Sequence, residues 1–338
     1  MDVTGLLKRM VDERASDLHL RVPSSPVLRI DGVLRVMQDF KPVNTKDVEL
    51  VFEHIATADQ RSKLLKEMDV EFAYSVPGLA RFRVSAMRQR GTLSVAFRMV
   101  PFEVPTIDQL GAPDVCKQAV LEPRGLILVT SANGNGKSTT LAAMINHLNK
   151  NMKSNVIIIE EPIEYLHANE KCLIAQRDIG DDTESLDIAL KHALHHDPDV
   201  VVIGDMADLD TISTAIKAAE SGHLVMATMH TEGADQTIDR IIDMFPFENQ
   251  ALVKLRLSRI MIAILSQKLV LRAEGKGRVA AFEVMINNRE IRNLIREGKT
   301  GEMTGVMQLN TNDMQTMEQA LAELVKNNVI KKEEANNK

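Results

Sequence analysis

Hydrophobic positions in this chain follow two regimes. Up to about residue 100 they alternate with polar ones or recur at helical spacing, whereas beyond about residue 125 they gather into short unbroken runs. In the first regime Leu6, Leu7, Met10 and Val11 share one face of a helix over residues 1 to 14. Leu18, Leu20 and Val22 alternate as in a half-buried strand, and shorter strands follow at Val27 to Ile30 and Gly32 to Met37, with Asp31-Gly32 as a hairpin signal. The spacing predicts helices over Thr45 to His54 and Ala58 to Met68. It predicts antiparallel strands over Glu71 to Tyr74, Gly78 to Met87 and Thr92 to Met99. Residues 1–100 therefore read as an α+β domain. Pro101 and Pro105 mark a linker, and with the helix expected over Pro113 to Leu121 they make up residues 101–120.

In the second regime the runs Leu126 to Val129, Val156 to Ile159, Val200 to Ile203 and Leu224 to Met226 alternate with helical stretches. Strands that are apolar on both faces belong to a parallel sheet covered on both sides, which assigns 121–275 to an α/β core and leaves 276–338 as a helical C-terminal region. Each run ends in polar residues: Ser131 to Thr139 after the first, Glu160 and Glu164 around the second, Asp205 after the third and His230 after the fourth. Ligands of such sheets sit beyond the carboxyl ends of the strands.

The first of these ends carries the most specific chemistry. In Leu126 to Thr140, LILVTSANGNGKSTT, a strand turns through Gly134 and Gly136 and opens into a helix at Lys137-Ser138-Thr139. Such a loop, comprising Ser131, Asn133, Gly134, Asn135, Gly136, Lys137, Ser138 and Thr139, aims backbone N–H groups and a helix N-terminus at a phosphate chain. Lys137 would reach the terminal phosphates of ATP, and the Ser138 hydroxyl would hold Mg²⁺. The first Gly of the usual G-x-x-x-x-G-K-[ST] pattern is Ser131 here. A tight strand-to-helix connection is the alternative reading of the loop taken alone, and an acidic turn is that of Glu160 to Glu164.

Composition narrows the field further. The 338 residues are 44% hydrophobic and 26% charged, which is ordinary for a globular protein of two domains. Aromatics make up only 3%, whereas Met occurs 18 times, so the cores must be aliphatic. A net charge of −6 argues against direct nucleic-acid binding. The two cysteines, Cys116 and Cys172, are too far apart in sequence to suggest a zinc motif, and they fit a cytoplasmic setting. No run approaches the ~18 apolar residues of a transmembrane segment. Arg81, Arg83, Arg88, Arg90 and Arg98 crowd the first domain, either as a solvated sheet face or as an anion-facing row.

Six segments, SDLHL (16–20), RFRVSA (81–86), the loop, IEEPIEYLH (159–167), VVVIGDMADLDTI (200–212) and GHLVMATMHT (222–231), resemble in order and spacing the secretion-type traffic ATPases. More closely they resemble the type IV pilus retraction ATPases, the PilT/PilU-like branch; Ile291 to Ile295 and Met314 to Leu321 are similar to two further segments of that branch. The resemblance implies a PAS-like N-terminal domain, a RecA-like P-loop domain and a helical C-terminal region. It further implies a ring of six with active sites between subunits, phosphate-facing Arg83, Arg90 and Arg98, an acidic box at Glu160 and Glu164, Asp205 as the Walker B carboxylate and His230 as the histidine box. ATP and Mg²⁺ are the implied ligands. The partners are copies of the chain or a paralogue in a mixed ring, together with a pilus platform protein of the inner membrane, which would hold the ring peripherally at the cytoplasmic face.

The chain departs from the family pattern at Ser131, Glu161, Asp205, Ala207, His195-His196 and Asp313. Asp205 stands where the family has Glu, and a carboxylate shorter by one methylene is retracted from the water it must activate. Three functions are open on this reading: a hydrolysing retraction motor, a nucleotide-binding ring subunit poor in hydrolysis that serves an active paralogue, and a nucleic-acid translocase. For Ile291 to Ile295, packing on its own domain and contact with a partner are both open.

Overall fold

A computed structural model describes residues 2–30, 32–100, 103–275, 277–309 and 313–336. Asp31 of the expected hairpin and Pro101 of the expected linker lie outside the described residues. The chain divides into two compact units, residues 1–102 with Glu164–Leu166, and residues 103–163 with 167–338.

The first unit is built on six antiparallel strands: β1 (Asp17–Arg21), β2 (Val27–Ile30), β3 (Val33–Val36), β4 (Asp69–Val76), β5 (Ala80–Gln89) and β6 (Thr92–Val100), in the order β3-β2-β1-β6-β5-β4. Alternation decides which side is core. Leu18, Leu20, Phe82, Val84, Ala86, Val95 and Phe97 are buried against Leu6, Leu7 and Met10 of helix Val3–Asp12 and Val48, Val51 and Phe52 of helix Thr45–Ile55. Arg81 and Arg83 fall on the opposite face, one residue out of phase. Both helices start on side-chain caps, Asp2 for the first and the Asn44–Asp47 capping box for the second.

The second unit holds β7 (Gly125–Thr130), β8 (Asn155–Glu160), β9 (Leu173–Asp178), β10 (Val200–Ile203), β11 (Leu224–Met229), β12 (Met261–Leu271) and β13 (Arg278–Ile286), ordered β13-β12-β7-β11-β10-β8-β9. All neighbours are parallel except β12 and β13. Burial on both faces explains the unbroken runs. Leu126, Leu128, Ile157, Ile159, Val201 and Ile203 point into one core layer, while Ile127, Val129, Val156, Ile158, Val200 and Val202 point into another with helix Lys137–Asn151. The sequence assigns 276–338 to a helical region, but residues 278–286 are a strand; its antiparallel pairing with β12 explains why an apolar stretch beside a turn stays extended. Helices follow at Arg289–Glu297, Met303–Leu309, Met317–Lys326 and Lys332–Asn336.

Candidate functional site

The parallel registers bring the candidate residues to one edge. Ile203 of β10 is level with Ile159 of β8 and Ala227 of β11, and Thr130 of β7 is level with Met229 of β11 and Ser266 of β12. Chain continuity therefore sets Ser131, Glu160, Asp205 and His230 at the carboxyl ends of adjacent strands. Gly204 makes part of this closeness possible: a Cβ there would lie 3.1 Å from the Glu160 Cα. The carbonyl of Gly204 accepts from Thr228 Oγ1 at 2.5 Å, which steadies the bend before Asp205.

The loop is braced from inside. Gly136, at φ +84°, is the N-cap of the helix that starts at Lys137, a backbone angle at which a side chain would be strained. A Cβ there would also come within 2.9 Å of Gln267 Nε2. Gln267 itself donates to the Asn135 carbonyl at 2.7 Å and accepts from Thr140 Oγ1 at 2.5 Å, while Asn135 Oδ1 accepts from the Leu269 N–H at 3.0 Å. Arg278 Nη1 reaches the Gly134 carbonyl at 3.2 Å. Strand β12 thus holds the phosphate loop in shape, a role that Gln267, one of three consecutive polar residues Ser266-Gln267-Lys268 in an otherwise apolar strand, did not announce.

Lys137, Asp205 and His230 are linked directly. Lys137 Nζ donates to the Ser131 carbonyl at 2.9 Å and lies 3.1 Å from His230 Nδ1, and the other ring nitrogen of His230 lies 3.3 Å from Asp205 Oδ2. Asp205 Oδ1 is buried with no hydrogen-bond partner among the described residues, an acceptor that calls for a water or a cation. Lysine, imidazole and carboxylate in series can neutralise phosphate charge and take a proton from a nearby water. The helix start and the Ser138 hydroxyl beside it are the donor set that Mg²⁺–phosphate complexes use.

The other predicted residues are placed as follows. Glu164 groups with the first unit, and Glu160 ends β8 of the second. Arg83, Arg90 and Arg98 also belong to the first unit. Arg98 is level with Arg83 on one side and Asp17 on the other. Arg98 Nε donates to Asp17 Oδ1 at 2.9 Å and Arg83 Nη2 to Glu71 Oε2 at 2.5 Å. Arg90 sits at the β5–β6 hairpin tip, exposed, at φ +45°. Asn133 and Thr139 lie on the loop and in the first turn of the helix. Among the departures from the family pattern, Ala207 and the His195-His196 pair are exposed. Ile291 and Ile295 are fully buried in their own unit, whereas Arg292 is exposed.

Three comparisons bear on this arrangement. The model of the family described as "Type II/IV secretion system protein" matches residues 2–337. The chain is 42% identical over 339 aligned positions to the type IV pilus retraction ATPase PilT of Pseudomonas aeruginosa, covering 100% of this chain and 98% of that one. It is 38% identical to the type IV pilus ATPase PilU of the same organism, covering 99% and 88%. Among solved structures it is similar to the pilus retraction motor PilT with bound ADP, at a TM-score of 0.93 and 40% identity over 99% of this chain and 96% of that one.

Proposed function

This chain belongs to the family of type II/IV secretion system proteins, P-loop ATPases, and from that membership we propose that it is a hexameric ATP-hydrolysing motor that retracts a type IV pilus. The observation that carries the chemistry is the Lys137–His230–Asp205 series at the carboxyl edge of the sheet. The reaction is phosphoryl transfer from ATP to water. Lys137 and the helix N-terminus offset the charge of the phosphates. Asp205 orients the attacking water and takes up its proton, with His230 holding the carboxylate in place. Glu160 and Glu164 are the acidic-box residues that shape the water structure, and Arg83, Arg90 and Arg98 of a neighbouring subunit meet the charge that develops on the phosphate. Mg²⁺ fits the donor set, and Ser138 would hold it to neutralise the phosphate oxygens. Force would pass to a platform protein in the inner membrane, which also gives the ring its cytoplasmic, membrane-peripheral position; among the described residues no helix is long and apolar enough to cross a membrane.

One observation favours a second reading. Asp205 occupies its place with a side chain one methylene short, and a displacement of about 1 Å can cost about 10²-fold in rate. A subunit that binds ATP and hydrolyses it slowly would serve as a scaffold in a mixed ring. Steady-state turnover separates the two. The motor reading expects the purified chain to hydrolyse ATP and Lys137→Ala to lose that activity. A wild-type chain that is silent beside an active Asp205→Glu variant supports the scaffold, and silence of both sinks the motor.

A further inference from the structure

Glu283 of β13 is a carboxylate that the nucleotide chemistry leaves unused. It lies opposite Ser266 of β12. Its Oε1 accepts from the N–H of Ala234 at 2.8 Å, and its Oε2 from the N–H of Met317 at 3.4 Å. These are the first residues of helices Ala234–Asp243 and Met317–Lys326. One side chain therefore closes the amino ends of two helices, where a negative charge meets the positive end of each dipole. Burial raises the Glu283 carboxyl above its usual range, and the two backbone amides work against that rise.

The two helices lean on this carboxylate unequally, because Met317–Lys326 also carries its own Thr316–Gln319 capping box. The N-cap of Ala234–Asp243 is Gly233, which has no side chain to give, so Glu283 supplies the acceptor that the helix start lacks. That helix begins four residues after His230. The Met317–Lys326 helix is fixed in front by Gln315, whose backbone N–H and carbonyl pair with Val284 at 3.1 and 2.8 Å and whose side-chain amide donates to the Phe282 carbonyl at 2.7 Å. On the other side, Ser266 Oγ lies 2.9 Å from Thr130 Oγ1, both fully buried, and Thr130 immediately precedes Ser131 of the phosphate loop. Polar contacts thus run from the loop strand through Ser266 and Glu283 to the segment Met314 to Leu321, which the sequence singled out without a role.

We propose that Glu283 is a positioning residue that ties the helix behind His230 to the C-terminal helix Met317–Lys326, so that nucleotide at the phosphate loop orders the C-terminal segment. The inference rests on nucleotide binding as described under the proposed function. Amide hydrogen exchange of the full chain, with and without ADP, tests it. In the wild type ADP should slow exchange by about threefold or more over 131–139, 234–237 and 317–320. In Glu283→Ala the protection over 131–139 should remain while that over 317–320 is lost. Glu283→Gln, of near-native volume and with one acceptor oxygen left, should lose it in part, and decides by the same readout if the Ala variant does not fold. Protection over 317–320 that survives both substitutions overturns the coupling, as does its absence in a wild-type chain whose loop is protected. A wild-type loop that ADP does not protect overturns the nucleotide reading itself, and the coupling with it.

Discussion

Arg83, Arg90 and Arg98 carry the same charge and differ in what holds them. Arg83 is paired with Glu71 and Arg98 with Asp17, whereas Arg90 stands exposed at a hairpin tip with no side-chain partner among the described residues. Replacing Arg90 with Ala should therefore cut ATP turnover by about 10³-fold, the scale of a trans-acting arginine, and leave the thermal midpoint unchanged. Arg98→Gln should instead also destabilise the N-terminal unit, by about 1 kcal/mol after solvent screening of the exposed guanidinium. That loss has a pH signature. Burial works against the Asp17 charge, but the Ser16 hydroxyl and the Arg98 guanidinium outweigh it and hold the carboxyl below its ordinary value. A depressed carboxyl stabilises the fold above its unfolded pKa of about 3.9 and loses that contribution as pH falls through the folded value. The stability gap between wild type and Arg98→Gln, read from urea midpoints, should thus be full at neutral pH and narrow below about pH 4. The cysteines make a separate test of packing. Burial pushes the Cys116 thiol up to about 12 and also raises Cys172, so iodoacetamide at mildly alkaline pH should label both only as the chain unfolds.

Among the elements, β12 does the most for the site while contributing no group to the chemistry. Gln267 spans the loop from Asn135 to Thr140, and its replacement by Leu keeps the volume but leaves the Asn135 carbonyl without its donor. Gln267→Leu should weaken ADP binding by about tenfold, measured by calorimetry, with the fold retained. This brace also marks where reading the sequence stops. The runs at Leu126, Val156, Val200 and Leu224 were legible as parallel strands because burial on both faces leaves no polar interruption. Their polar ends then assembled the edge of the site. Strand β9 has exposed positions at Leu173 and Ala175, as an edge strand does, and its pattern carries no such signal. Strand β13 was hidden in a stretch assigned to helices, because its extended state is imposed by pairing with β12 across 278–286 rather than by local preference. Likewise Glu283 is a lone polar residue within an apolar stretch and Gln267 one of the three in Ser266-Gln267-Lys268, and only the tertiary structure says which neighbours they answer. For Ile291 and Ile295 the outcome is packing on their own unit, which leaves Arg292 as the exposed side chain of that turn.

For the whole molecule the proposal is a ring, and mixing tests it without knowledge of any partner. Native mass measured with ATP should correspond to six protomers of 37.6 kDa. Doping wild-type protein with Lys137→Ala should depress turnover more steeply than its share of the mixture if each site borrows arginines from a neighbour. Linear dilution would count against shared sites. DNA should not stimulate hydrolysis, given the net charge of −6. The contacts of Lys137 add a last consequence for such a ring. Its ammonium already has the Ser131 and Ala132 carbonyls and His230 for company, so incoming phosphates must displace contacts of the protein's own. A stray inorganic anion gains little from that exchange, whereas a nucleotide can draw on the rest of its contacts to offset it. The contacts around Lys137 thereby favour a nucleotide over a bare anion.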